Sequence, residues 1–268
     1  MNLTIETFRF RFLTPCFSGT AEGKDATFSE LRVPAMRGHI RFWHRAAYGP
    51  DSANRVWGST SGNEGQGSRV AVRLKATPAP GRQSARLLPH KTHSQGSRPA
   101  LPPDTTASIQ LQRLPACTHD DWAQALSATK LWLLAGTLGY RANRAAGSVW
   151  PVEPWTPQSP PELASLLAPL IARPSQPWGA SLLAESAHKS WAELREAASD
   201  TPLGQPHLFG SAKPRKPSPV RFKVVELSTG LCLLVIAPAK KSITDAEGAL
   251  KSKPDPHRWK ALGDWKPL

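Results

Sequence analysis

The stretch ELRVPAMRGHIRFWHRAAYG, Glu30–Gly49, carries apolar residues on a helical period and an arginine at every fourth position from Arg37. At about 100° per residue, Met36, Ile40, Trp43 and Ala47 fall on one stripe. That spacing predicts an amphipathic helix whose stripe lies against a sheet. Arg37, Arg41 and Arg45 follow one another along an adjacent stripe, with His44 on the boundary and His39 flanking the apolar stripe on the other side. Pro34 stands in the first turn, where proline is tolerated. Gly38 breaks the pattern. A glycine inside a helix costs about 1 kcal/mol relative to alanine. It fits where a partner approaches the backbone closely, where the helix breaks, or where it packs tightly on a sheet.

Arginines beside a buried stripe lay their stems on apolar surface and present guanidinium groups outward, and such groups in a row suit phosphates through forked hydrogen bonds. A solvated helix face explains the same ridge without any ligand. His39 and His44 are candidate general bases for RNA cleavage by the 2′-hydroxyl; packing or hydrogen-bonding roles are the alternative.

Working outward, Leu3 to Leu13 alternates, with Phe8, Phe10 and Phe12 on one side and Arg9 and Arg11 between them, which predicts a strand with one buried face. A glycine-rich loop from Val56 leads into a strand at Arg69 to Lys75. Thr77 to Thr106 turns to Pro, Ser, Gly, His and Arg without periodicity, and is expected to be a mobile loop or hairpin insertion. A strand follows at SIQLQRL from Ser108. A second helix starts from an N-cap at Thr118 or Asp120 and ends in the basic loop GYRANRAAGSVWP. The first half reads β-α-β-β-α-β. In the second half, SPPELASLLAPLIA and GASLLAESAHKSWAELREAAS read as helices. A basic loop carrying Lys213, Arg215 and Lys216 then feeds two antiparallel strands that turn at STG.

The chain of 268 residues carries a net charge of +14, which favours a polyanionic partner, although compositional bias toward arginine accounts for part of it. Cys16, Cys117 and Cys232 are far apart and odd in number, which argues against a zinc ribbon or a disulfide framework and fits a cytoplasmic protein. No metal and no cofactor are expected. The longest apolar run, from Leu231, is too short to span a bilayer, so no membrane partner is expected.

FLTPCFSGTAEG, then ELRVPAMRGHIRFWHRAAYG, then VWGSTSG…SRVAVRL resemble the N-terminal half of the RAMP superfamily of CRISPR-associated proteins, and most of all the subunit that caps one end of type III-B (Cmr) effector complexes. The matching positions are Leu13–Pro15, Arg37–Arg45 and Gly58–Ser59, within residues 7–75. GTLGYRANRAAGSVWP looks like the family's glycine-rich loop, although Ala145 and Ala146 stand where glycine and an aromatic are usual. KPRKPSPVRFKV looks like the R-x-S-P strand of a second RAMP half.

The resemblance implies an α+β, ferredoxin-like (RRM-type) RAMP fold in two tandem halves, residues 1–152 and a degenerate 153–268. It implies a non-catalytic capping subunit that contacts the crRNA 3′ region or the target RNA, with other RAMP subunits as partners. Phosphate contacts are then expected from Arg37, Arg41, Arg45, Arg141, Arg144, Lys213 and Arg215, with Gly38 as a point of close approach and His39 and Lys24 in support. Two alternatives stand beside this. One is an RNA endonuclease using His39 or His44 for crRNA processing, or Asp25 for target cleavage. The other is a structural adaptor docking through Trp155, Trp178, Trp191, Trp259 and Trp265.

Overall fold

Alternation in the first strand puts Phe8, Phe10 and Phe12 on one face, and all three are buried. Phe10 meets Phe12 and Trp132 edge-on, at 5.8 and 5.5 Å between centroids. The structure is a computed structural model and describes residues 4–19, 27–60, 65–89, 96–171, 178–184, 190–200, 206–212, 214–238, 240–251 and 260–264.

The first half runs β1 (Ile5–Phe12), α1 (Val33–Tyr48), α2 (Pro50–Trp57), β2 (Val70–Ala76), β3 (Ser84–Arg86), β4 (Ser97–Pro99), β5 (Thr106–Arg113), α3 (His119–Ala135) and β6 (Val149–Pro151). Its sheet has the order β2-β5-β1-β6, antiparallel throughout. Setting aside α2 and the small β3–β4 hairpin, this is a β-α-β-β-α-β unit with its first strand between the third and the last, the ferredoxin-like arrangement. Helix α1 buries Met36, Ile40, Trp43 and Ala47, as its periodicity predicts, together with Ala46 and His44. Helix α3 starts at a capping box: the Thr118 hydroxyl accepts from the Asp121 amide at 3.1 Å, and the Asp121 carboxylate accepts from the Thr118 amide at 3.4 Å.

The second half contains α4 (Pro160–Ile171), β7 (Gly179–Ala184), α5 (Trp191–Asp200), α6 (Pro206–Phe209), β8 (Ser211–Ala212), β9 (Arg215–Lys216), β10 (Arg221–Leu227), β11 (Gly230–Ala237), α7 (Lys240–Lys251) and β12 (Lys260–Asp264). Its sheet order, β10-β11-β7-β12, repeats that of the first half. The helices between its strands are shorter, 10 and 12 residues in α5 and α7 against 16 and 17 in α1 and α3. The hairpin expected at STG is present, with Leu227 opposite Gly230. GASLLA departs from its predicted helix: Gly179–Ala184 is strand β7, paired on both sides with β11 and β12. That central place in a sheet overrides the helix preference of its leucines and alanines.

Edge strand β10 lies beside the segment leading into β6, the far edge of the first sheet. The Ala145 amide donates to the Phe222 carbonyl at 3.1 Å, and the Val224 amide to the Ser148 hydroxyl at 3.0 Å. One hydrophobic core runs through both halves. The 77–106 insertion, expected to be mobile, is tied down at several points. Gly81 bridges to Ser29, Leu101 bridges to Cys16, and buried Arg195 of α5 donates to the carbonyls of Arg86 and Leu87 at 2.6 and 3.1 Å. Among the described residues, no helix is long and apolar enough to cross a membrane.

Candidate nucleic-acid interface

Gly38 lies exposed in the middle of α1, and no heavy atom lies within 4 Å of where a side-chain carbon would sit. No close helix–sheet contact therefore calls for a glycine, and the helix runs through it unbroken. Gly38→Ala should thus raise stability by about 1 kcal/mol, from helix propensity alone. Urea melts of the two proteins measure this. If the open backbone serves a partner, the same change weakens binding.

The surface around Gly38 is built from three segments distant in sequence. Helix α1 supplies Arg41, Phe42 and exposed Arg45. Strand β10 supplies Arg221, whose guanidinium lies 4.2 Å over the Phe42 ring. The glycine-bracketed loop supplies Asn143, whose side-chain oxygen accepts from Arg221 at 2.7 Å. Burial and neighbouring Arg221 together hold half-buried His39 down at about 4. The basic loop before β10 joins the same region through Ser218, which lies 3.4 Å from Arg144. Helix α1, the loop at 139–147 and residues 218–221 therefore meet.

The ridge itself is only partly open. Arg37 donates to the carbonyl of Trp57 at the end of α2, and Arg41 donates to Asn54 Oδ1 at 2.7 Å. Both are half-buried between α1 and α2, leaving Arg45 as the exposed member of the three.

Arg144 corrects the expectation of an outward-facing cation. It is 9% exposed and donates to the Phe209 carbonyl at 2.7 Å. Its guanidinium lies 5.5 and 5.8 Å from the Phe209 and Phe222 ring centres. It is a strut between the halves. The loop's amides are engaged as well: Tyr140 N donates to Phe17 O, Arg144 N to Arg141 O, Ala145 N to Phe222 O and Gly147 N to Pro15 O. The flexible phosphate-cradling backbone expected here is instead a packed joint, and Arg141 is the arginine it exposes.

A sequence profile of the RAMP superfamily matches residues 9–150, more than half of the chain. The chain belongs to the RAMP superfamily. Among solved structures, this RAMP chain is similar to Cmr1 from Pyrococcus furiosus in its apo form, with 18% identity, 87% of each chain covered and a TM-score of 0.59. It is also similar to a chain in the cryo-EM structure of type III-B Cmr-beta bound to cognate target RNA and AMPPnP in the presence of ssDNA, with 10% identity, 91% of this chain and 98% of the other covered, and a TM-score of 0.59. No curated protein sequence matches it.

The remaining candidate residues of this RAMP chain divide between core and surface. His44 is fully buried, 3.0 Å from Ser52 Oγ, which donates to Gln124. Burial outweighs its other neighbours and holds its pKa at about 4, so it is a neutral core histidine rather than an accessible base. Trp178 is buried against Phe42 and Trp43, and Trp155 is half-buried with Lys130 5.2 Å from its ring, so neither presents the open docking face expected of it. Trp191 is half-buried too, and Arg215 lies in β9. Lys24, Asp25, Lys213, Trp259 and Trp265 lie outside the described residues. Among the described residues, no three His, Cys, Asp or Glu side chains are grouped to hold a metal ion. Sequence reasoning missed Arg221 and Asn143. The only signal for them was the approach of the basic SPV-R segment to a strand, and nothing local showed which helix it would meet.

Proposed function

We propose that this RAMP chain is a non-catalytic, RNA-binding capping subunit of a cytoplasmic type III CRISPR ribonucleoprotein effector, assembled with other RAMP subunits. It holds the crRNA 3′ region or target RNA across the surface around Gly38. The observation that carries this reading is the convergence of Arg41, Arg45, Arg221 and Asn143 on an open helix backbone, from three segments at least 78 residues apart. Cations set about a backbone with no side chain in the way suit a sugar–phosphate chain and read no sequence. The likeness to Cmr1 and to a chain of target-bound Cmr-beta supports the assembly. The non-catalytic part is supported by buried His44 and by His39, which is neutral and a weak base at pH 7.

Fluorescence anisotropy with labelled single-stranded RNA tests the reading. The double variant Arg41→Glu/Arg45→Glu should bind at least tenfold more weakly, with the salt slope of log affinity shallower by roughly one for each phosphate no longer engaged. Unchanged affinity and slope sink the interface. Cutting of the RNA by the purified protein, abolished by Asp25→Ala, overturns the non-catalytic assignment.

A further inference from the structure

Among the described phenylalanines, tyrosines and tryptophans, Tyr140 alone is exposed, at 52%. The chain on either side of it is built to hold it there. Gly139 has φ +90°, where a side-chain carbon would come within 2.5 Å of the Phe17 carbonyl. Arg141 has φ +60°, uncommon for a residue with a side chain. The Tyr140 amide is pinned to Phe17 O at 2.9 Å. The backbone therefore holds a half-exposed aromatic ring at the surface, its outer edge lying over Gly19.

Its surroundings are cationic. Tyr140, Phe28, Arg98 and Pro99 line a small notch together with Phe17, Ser18 and Gly19. Arg82 lies 5.8 Å from the Phe28 ring centre, and Arg141 follows Tyr140 in the chain. Beneath, buried Arg195 lies 5.0 Å from the Phe17 ring centre, and its Nε has no hydrogen-bond partner among the described residues. Among those residues, no carboxylate comes within 4.0 Å of Arg82, Arg98, Arg141 or Arg195. A protein-docking hot spot has an apolar core around its aromatic anchor. Here the rim is arginine, the composition of a surface that stacks bases and holds the adjoining phosphates.

We propose that Tyr140 is a stacking platform for an unpaired base of single-stranded RNA, with Arg98 and Arg141 flanking the phosphates on either side. The proposal rests on the RNA-binding reading above. Asn143, which orients Arg221, is three residues along the same loop, at most about 10 Å away. The ring and the Gly38 surface are therefore joined through one loop.

The test compares a uridine oligonucleotide with an abasic ribose-phosphate oligonucleotide of equal length, on the full chain at fixed salt. Tyr140→Ala should bind the uridine strand roughly tenfold more weakly, with unchanged salt slope and unchanged affinity for the abasic strand. Tyr140→Phe and Tyr140→Trp should restore binding. Equal affinity of Tyr140→Ala and wild type for the uridine strand overturns the platform, as does an equal loss on both strands. Loss of a co-purifying subunit with RNA affinity intact overturns it in favour of a protein partner. If wild type binds neither strand, the RNA-binding reading falls with it, an outcome distinct from failure of the platform alone.

Discussion

Asp121→Ala will destabilise the protein by about 3 kcal/mol, and Asp121→Asn by about half as much. The Asp121 carboxylate is 1% exposed and accepts from Arg55 Nε at 2.9 Å and Arg69 Nη1 at 2.7 Å. It also closes the α3 capping box. One side chain therefore ties α2, the entry to β2 and the start of α3 together. Alanine removes all of these bonds, whereas asparagine keeps one acceptor oxygen and the shape. Both arginines retain partial contact with water, at 41% and 24% exposure, which keeps the loss below that of a wholly buried broken pair. Thermal melts should show a fall of roughly 6–12 °C for alanine; a fall under 2 °C means the network contributes little.

The same carboxylate sets a pH limit. Burial alone would raise its pKa, but the hydrogen bonds from Arg55, Arg69 and Thr118 outweigh burial and hold it at about 2 against an ordinary 3.8. His39 and His44 are held at about 4 against 6.5, chiefly by burial. In all three cases the unfolded chain binds protons at a pH where the native chain does not, so stability falls as the solution is acidified. The histidines contribute their loss between about pH 6.5 and 4, and Asp121 between about 4 and 2. Urea midpoints measured from pH 7.5 down should fall in two stages, and Asp121→Asn should shrink the second.

The features legible in the sequence are those fixed by local period. The Met36–Ile40–Trp43–Ala47 stripe, the alternating phenylalanines of β1 and the Thr118 cap each depend on neighbours within a few residues. Helix α2 was also there to be read: Gly49 ends α1 and Pro50 opens the next helix, the glycine-then-proline punctuation of a helix–helix corner. Strand β7 was not, because its leucines and alanines suit a helix and only pairing with β11 and β12 makes them a strand. The candidate site divides the same way. Arginines at four-residue spacing announce a basic face, but whether each one reaches solvent depends on elements that pack later. Arg37 and Arg41 are drawn to α2, and Arg221 arrives from the other half of the chain.

Arg144 is where that division matters most for experiment, and it carries the second large effect. As a loop arginine between glycines, it invites a charge reversal as a test of RNA binding. In the fold it fills the joint between the halves, bonded to the carbonyls of Asn143 and Phe209 and enclosed by the Phe209 and Phe222 rings. Arg144→Ala leaves a cavity against two aromatic faces and orphans the Phe209 carbonyl. The expected loss is about 3 kcal/mol, read as a fall of roughly 6–12 °C in melting temperature. Lysine recovers only part of it, because an ammonium cannot lie flat between rings and donate to both carbonyls in a plane. Weaker RNA binding by Arg144→Glu would therefore report a loosened joint as readily as a phosphate left unbound. Arg45→Glu avoids that ambiguity: its side chain is exposed on α1, and it should melt within about 2 °C of wild type while binding RNA more weakly. If instead Arg144→Ala melts like wild type, the two halves are held together by their apolar contacts and the other hydrogen bonds across the joint, and the loop arginine returns to candidacy as an RNA contact.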